Sequence, residues 1–320
     1  MTRRRVHIAL CVAGCALLIA ASLLTGVIEF GPAAALSDPE ALAVMAVSRI
    51  PRTLALVLTG ATMGVAGMVM QMLARNRFIE PTTAGTGQSA ALGILLVAFA
   101  WPAAPIWAQM IVASLAAIAG SAGFLLLIRN LPPSQPLLVP LVGLIYGGII
   151  GAVVTFLGYR FDLLQYVEVW TSGDFSGVLR GRYELLWLAG VLAVAAYAVA
   201  DRFTIIGLGR DASVSLGLNY VRVAIAGLLV VSVVTAVTVV TVGMIPFVGL
   251  VVPNIVSRLR GDDLRASLPW VALTGAVLVT LCDLIGRLVN HPYEVPVSTI
   301  FGLVGAVVFL WLLYARPARA

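Results

Sequence analysis

"VAIAGLLVVSVVTAVTVVTVGMIPFVGLVVPNIV", residues 223–256, runs for thirty-four positions without a charged side chain. A helix rises ~1.5 Å per residue and the hydrocarbon core of a bilayer is ~30 Å thick, so one crossing takes ~20 residues. The stretch is too long for one crossing and too short for two. Gly243 and Pro246 supply the break. The reading is a full helix over Val223–Val242, a tight turn, then a short helix over Pro246–Leu259 that carries Pro253. Broken segments of this kind are tolerated in a membrane only where protein or a water-filled path surrounds them.

The rest of the chain has the same texture. It is 320 residues long, 61% hydrophobic and only 11% charged, with a mean hydropathy of +1.06. A water-soluble globule of that composition would carry a large sticky surface. The apolar runs do not alternate with polar residues as barrel strands would, so the expected class is all-α, a polytopic membrane protein. The remaining runs are Val6–Ile28, Arg52–Leu73, Ala84–Trp101, Ile106–Ile128, Leu137–Gly158, Tyr183–Ala200, Ser267–Val289 and Val297–Tyr314. About ten transmembrane helices follow, in a single domain spanning residues 1–320. Met1–Arg5 and the run behind it look like a signal peptide, but the run is longer than a typical leader core. An uncleaved anchor is expected.

All twenty basic side chains are arginine. With ten crossings and both termini cytoplasmic, fourteen fall inside and six outside, which satisfies the positive-inside bias. Arg49, Arg52 and Arg287 then stand at outer helix ends, on the side where such charges are usually sparse. Lysine is absent, so the chain cannot supply a P-loop or a Schiff base. Cys11 and Cys15 lie in the first apolar run with no accompanying acid or histidine, Cys282 lies in a late run, and His7 and His291 sit at run edges, so no metal site is expected. No catalytic residues are assigned, because no nucleophile, base and oxyanion donor occur in an ordered set. An ion-coupled secondary transporter would need buried acids or histidines at mid-membrane. The apolar runs offer only Asp283, read as the partner of Arg287.

"RIPRTLALVLTGATMGVAGMVMQMLARNRFIEPTTAGT" (Arg49–Thr86), "GMIPFVGLVVPNIVSRLRGDDLR" (Gly243–Arg265), "DLIGRL" (Asp283–Leu288) and "VPVSTIFGLVGAVVFLWLL" (Val295–Leu313) resemble, in family order, the FecCD permeases of ABC importers for iron-siderophores, haem and vitamin B12. "RNRFIEPTTAGT" and Asn254 resemble the branch serving catecholate, petrobactin or anguibactin-type siderophores. The resemblance implies the type II ABC importer permease fold and a transport role without enzymatic activity. It implies a second permease subunit, the same or homologous, and two ATP-binding subunits that hold ATP and magnesium. It further implies a periplasmic or lipid-anchored substrate-binding protein and ferric siderophore as cargo. No cofactor on this chain and no nucleic acid are implied, and the location implied is the bacterial inner membrane.

The resemblance also assigns residues. Arg49, Arg52 and Arg287 match positions that dock glutamates of the binding protein, a task suited to the planar, permanently charged guanidinium. Residues 205–222 match the coupling segment seated on the ATPase, with Leu208, Gly209, Arg210, Asp211, Ser213, Leu216 and Gly217 as its candidate contacts. Leu208, Leu216 and Leu218 are expected to bury there. Asn76 and Phe78 match the cytoplasmic gate, although a plain turn capped by Asn76 explains the former nearly as well. A second gate loop near Pro132–Pro136 departs too far from the pattern to assign. Glycines of the fifth and tenth helices, Gly143, Gly147, Gly148, Gly151, Gly302 and Gly305, either leave room for a path or serve helix packing.

Overall fold

The computed structural model describes residues 14–25, 38–131, 137–261 and 263–314. The N-terminal arginines, Cys11, residues 132–136, Arg316 and Arg319 lie outside those ranges. Each of the ten expected runs holds a helix. These are α1 (Gly14–Leu24), α2 (Ala41–Leu73), α3 (Thr86–Ala100), α4 (Ile106–Ile128) and α5 (Leu138–Arg160), then α7 (Leu186–Ala198), α10 (Tyr220–Val242), α11 (Val248–Arg260), α12 (Leu264–Val289) and α13 (Val297–Tyr314). Of these, α2, α4, α5, α10 and α12 are long and apolar enough to cross a bilayer unaided. Three shorter helices complete the described set: α6 (Leu164–Thr171), α8 (Ala200–Gly207) and α9 (Arg210–Ser215). The axis bends by 68° between α7 and α8.

The core forms around α2, which α7, α10, α11 and α12 enclose. Glycines bring it close to two of them. A Cβ on Gly60 would lie 2.3 Å from the Gly275 carbonyl oxygen on α12, and one on Gly67 would lie 2.1 Å from the Gly249 carbonyl oxygen on α11. Neither helix could approach so closely past a side chain.

Pro51 and Pro253, among the prolines within helices, each leave a carbonyl without an amide donor four residues later, and each of these two carbonyls has found another donor. Pro51 cannot serve Val47, whose oxygen accepts the backbone N–H of Arg180 at 3.0 Å. A π-helical turn over Met45–Arg49 lets the chain pass Pro51 without breaking, so α2 begins before the expected Arg52. Pro253 cannot serve Gly249, whose oxygen accepts from Gln71 Nε2 at 3.3 Å.

The break foreseen at Gly243 is confirmed and closed by a neighbour. The segment after α5, between the apolar runs Leu137–Gly158 and Tyr183–Ala200, forms α6 and a strap across the break. Met244 N–H donates to the Trp170 carbonyl, Asp174 N–H to Val242, and Ser298 N–H to Gly173. Gly243 adopts φ +84 and a Cβ there would meet the Ser172 carbonyl oxygen at 2.4 Å, so only glycine fits. The exposed backbone of a broken helix is satisfied by protein, as a membrane interior demands.

Candidate functional site

Three groups of residues stand out, and the first joins the N-terminal end of α2 to the C-terminal ends of α1 and α12. Asp283 is fully buried and divides its oxygens between two arginines. Oδ1 accepts from Arg52 Nε at 3.2 Å and Nη2 at 2.7 Å; Oδ2 accepts from Arg287 Nε at 2.7 Å and from Nη2. Arg52 uses Nη1 on Glu294, at 3.0 and 2.8 Å from its two oxygens. Arg287 Nη1 reaches the Ser22 and Thr25 carbonyls at 3.0 and 2.8 Å, while Arg49 Nη1 reaches Leu23 and Leu24 at 3.0 and 3.1 Å. These carbonyls belong to the last turn of α1 and to Thr25 just after it, so the two arginines cap its end. Arg49 and Arg287 are buried, at 7% and 5% exposure, and the Arg52 side chain keeps 12%. All three lie together as expected, with their donors turned inward. Burial of this many charges is sustained because each guanidinium meets a carboxylate or a row of carbonyls.

At the opposite end of α2, the chain turns through Arg75, which adopts φ +51, into the loop leading to α3. Asn76 is buried and its Oδ1 accepts the Phe78 N–H at 2.8 Å, the local turn weighed above. Phe78 meets Phe309 of α13 edge to face at 6.1 Å, and Phe309 meets Phe247 at 6.5 Å. Asn254 of α11 ties this loop down, donating to the Arg77 and Leu250 carbonyls at 2.7 Å each.

Glu80 is the member of this loop that the sequence reading missed. It is fully buried, and Oε1 accepts the Thr82 hydroxyl at 2.6 Å and the Phe247 N–H at 2.7 Å, capping the first turn of α11. Its carboxylate also faces the backbone amides of Gly249 and Leu250 in the same turn. Glu80 is thus a buried acid besides Asp283, supplied by a loop and not by an apolar run. Glu80 sits in a polar stretch between apolar runs, where periodicity gives no burial signal. Its signal was the acid followed by Pro81 and two threonines, a turn able to fold its own carboxylate inward.

The third group is α8, α9 and their joints. Gly209 takes φ +106 and Gly217 φ +79, letting the chain reverse on both sides of the short α9. Ser213 is buried and its hydroxyl donates to Gly209 and Ile205 carbonyls, locking the turn. Arg210 and Asp211 are exposed, as are Leu208 and Leu216 at 62% each. Leu218 is half-buried against the core. Asp201 pairs with Arg265 at 2.9 Å, joining α8 to α12. The locked turn thus leaves Leu208 and Leu216 uncovered in the single chain.

Known proteins resemble this chain over most of its length. The petrobactin import system permease protein YclN of Bacillus subtilis (strain 168) is 44% identical over 285 residues, covering 89% of this chain and 90% of that protein. The ferric-anguibactin transport system permease protein FatD of Vibrio anguillarum is 42% identical over 266 residues, covering 83% of this chain and 85% of its own. A solved inward-facing transporter of the metal-chelate ABC type superposes with a TM-score of 0.79 at 23% identity, covering 96% of this chain and 99% of its own, which shows a shared fold. The model of the FecCD transport family matches residues 12–315, from within the first apolar run to the end of α13, and the chain belongs to that family.

Proposed function

We propose that this chain is the membrane-spanning permease of an ATP-driven importer for a ferric siderophore of the petrobactin or anguibactin class. The observation that carries the reading is the identity of 42–44% to permeases of those import systems over most of the chain. The exposed Leu208 and Leu216 support contact with a separate ATPase, which would hold ATP and magnesium. The apolar faces of α5 and α13, with Leu144 and Ile149 on one and Leu303 and Val307 on the other, are uncovered in the single chain. They support pairing with a second permease subunit. Both termini would face the cytoplasm, by the arginine distribution.

The Arg52 face would then receive the binding protein. Its carboxylates would find Arg52 already engaged, so docking there means exchange of Glu294 for an incoming acid. Asn76 and Phe78 would close the opposite end. The test is reconstitution of the full chain with its ATPase and binding protein in liposomes, followed by uptake of iron-labelled chelates, haem and cobalamin. ATP-dependent uptake of the ferric siderophore is expected. Preference for haem or cobalamin, or uphill transport by this chain alone on an ion gradient, overturns the reading.

A further inference from the structure

A cavity of about 960 Å³ opens where the C-terminal end of α4 and the N-terminal end of α10 diverge beneath the α2–α3 loop. Among the described residues, Arg75, Arg77, Arg129 and Arg210 line it, and no acid does. Among the described residues, Arg75, Arg129 and Arg210 make no ion pair. Arg75 lies over Gly209, its Cζ only 3.2 Å from where a Cβ would stand, so the absence of a side chain there gives the guanidinium its place at the rim. The inner wall is different in kind. Leu126 of α4 and Ile225 of α10 line it and are 60% and 51% exposed in the single chain, and both belong to helices long and apolar enough to span the bilayer.

We infer that this cavity holds an anionic glycerophospholipid of the adjacent leaflet, with its phosphate among the arginines and an acyl chain along Leu126 and Ile225. Three arginines without an ion pair, Arg75, Arg129 and Arg210, select an anion, and guanidinium forks match phosphate oxygens. The wall selects within that class. A soluble anion would leave the leucine and isoleucine uncovered, and the acidic surface of a water-borne partner stops at the helix ends, where the arginines are. Only an amphipathic anion satisfies both parts, and the volume falls in the ~300–1,000 Å³ range of ligand clefts. The inference does not depend on which solute the chain transports.

The purified full chain, washed in detergent and examined by native mass spectrometry, provides the test. Phosphatidylglycerol and phosphatidylcholine of identical acyl chains are offered in equal amounts, with glycerol phosphate as a soluble competitor. One phosphatidylglycerol per chain should survive a wash that strips phosphatidylcholine. Arg75→Gln with Arg129→Gln should weaken retention about thirtyfold, since each surface arginine adds close to a factor of five. Both sites are exposed and lack ion pairs, and Arg75→Lys with Arg129→Lys, which keeps the charge, should retain most of the lipid. Leu126→Gln, with all arginines intact, should also weaken it. Equal retention of the two lipids, or retention indifferent to these substitutions, overturns the inference. Displacement by glycerol phosphate at equal concentration also overturns it, showing a site for soluble anions only.

Discussion

Glu80 and Phe247 lie 167 residues apart in sequence, yet the carboxylate of the first accepts the backbone N–H of the second at 2.7 Å. Phe247 holds φ +68, a left-handed backbone unusual for an aromatic residue, and the first turn of α11 starts from it. The carboxylate thus fixes where the short helix begins, and it joins the α2–α3 loop to the break that divides residues 223–256. Replacing Glu80 with alanine leaves the Phe247 N–H and the Thr82 hydroxyl buried without an acceptor. An unsatisfied buried group costs about 1–3 kcal/mol. Glu80→Ala should lower the unfolding temperature of the detergent-solubilised protein clearly, while Glu80→Gln, which keeps one acceptor oxygen, should lose less. Identical melting of the alanine variant and the parent would show that the cap contributes nothing.

The sequence disclosed the helices because each lies in an apolar run bounded by polar or turn-forming residues, and it disclosed the break because Gly243 and Pro246 interrupt an otherwise uniform run. It concealed what fills the break. The strap through Trp170 and Asp174 binds by backbone groups, which every residue carries, so no side-chain pattern announces it. The arginine cluster was legible in membership and not in direction. Arg49, Arg52 and Arg287 could be placed at one end, but that Arg49 and Arg287 cap α1 depends on a contact between segments more than twenty residues apart. The exposed Leu208 and Leu216 were legible because glycines punctuate them.

Asp283 joins two arginines that would otherwise repel one another. Asp283→Asn removes the shared anion and leaves Arg287 buried with no carboxylate of its own, while Arg52 keeps Glu294. Breaking one side of a buried pair costs about 3–5 kcal/mol. Removing both sides restores much of the loss, so Asp283→Asn with Arg287→Gln should be more stable than Asp283→Asn alone. Thermal unfolding of the two variants and the parent in one detergent measures the coupling. Additive losses would mean that the short contacts between Asp283 and Arg287 carry no specific energy.

Glu294 is the most exposed member of the cluster, at 22%, and it occupies the one nitrogen of Arg52 that Asp283 leaves free. If the binding protein presents a carboxylate to Arg52, Glu294 competes with it. Glu294→Gln removes the competing charge and should tighten association with the loaded binding protein. Arg52→Glu should weaken it, with ATPase association unchanged. Surface plasmon resonance at low and physiological salt gives both numbers, and the difference between variants should shrink as salt rises. Tighter binding by Arg52→Glu would place the docking contact elsewhere.

Glycine carries two opposite meanings in this chain, and alanine separates them. A Cβ at Gly67 would stand 2.1 Å from the Gly249 carbonyl oxygen and 2.2 Å from its Cα, both backbone atoms that no rotamer change can move aside. At Gly148 of α5 a Cβ meets nothing within 4 Å. Gly67→Ala must push α2 from α11, an overpacking strain of about 1–3 kcal/mol. Gly148→Ala adds helix propensity at no steric cost and should be neutral or stabilising by up to about 1 kcal/mol. The expected order of unfolding temperatures is therefore Gly148→Ala at or above the parent and Gly67→Ala below it. Gly143 and Gly305, whose added Cβ atoms would lie 2.7 Å from the Thr83 carbonyl oxygen and 2.4 Å from Phe247 Cβ, should follow Gly67. A marked loss of uptake in Gly148→Ala without loss of stability would identify that position as one where transported solute or a second subunit passes close to the helix.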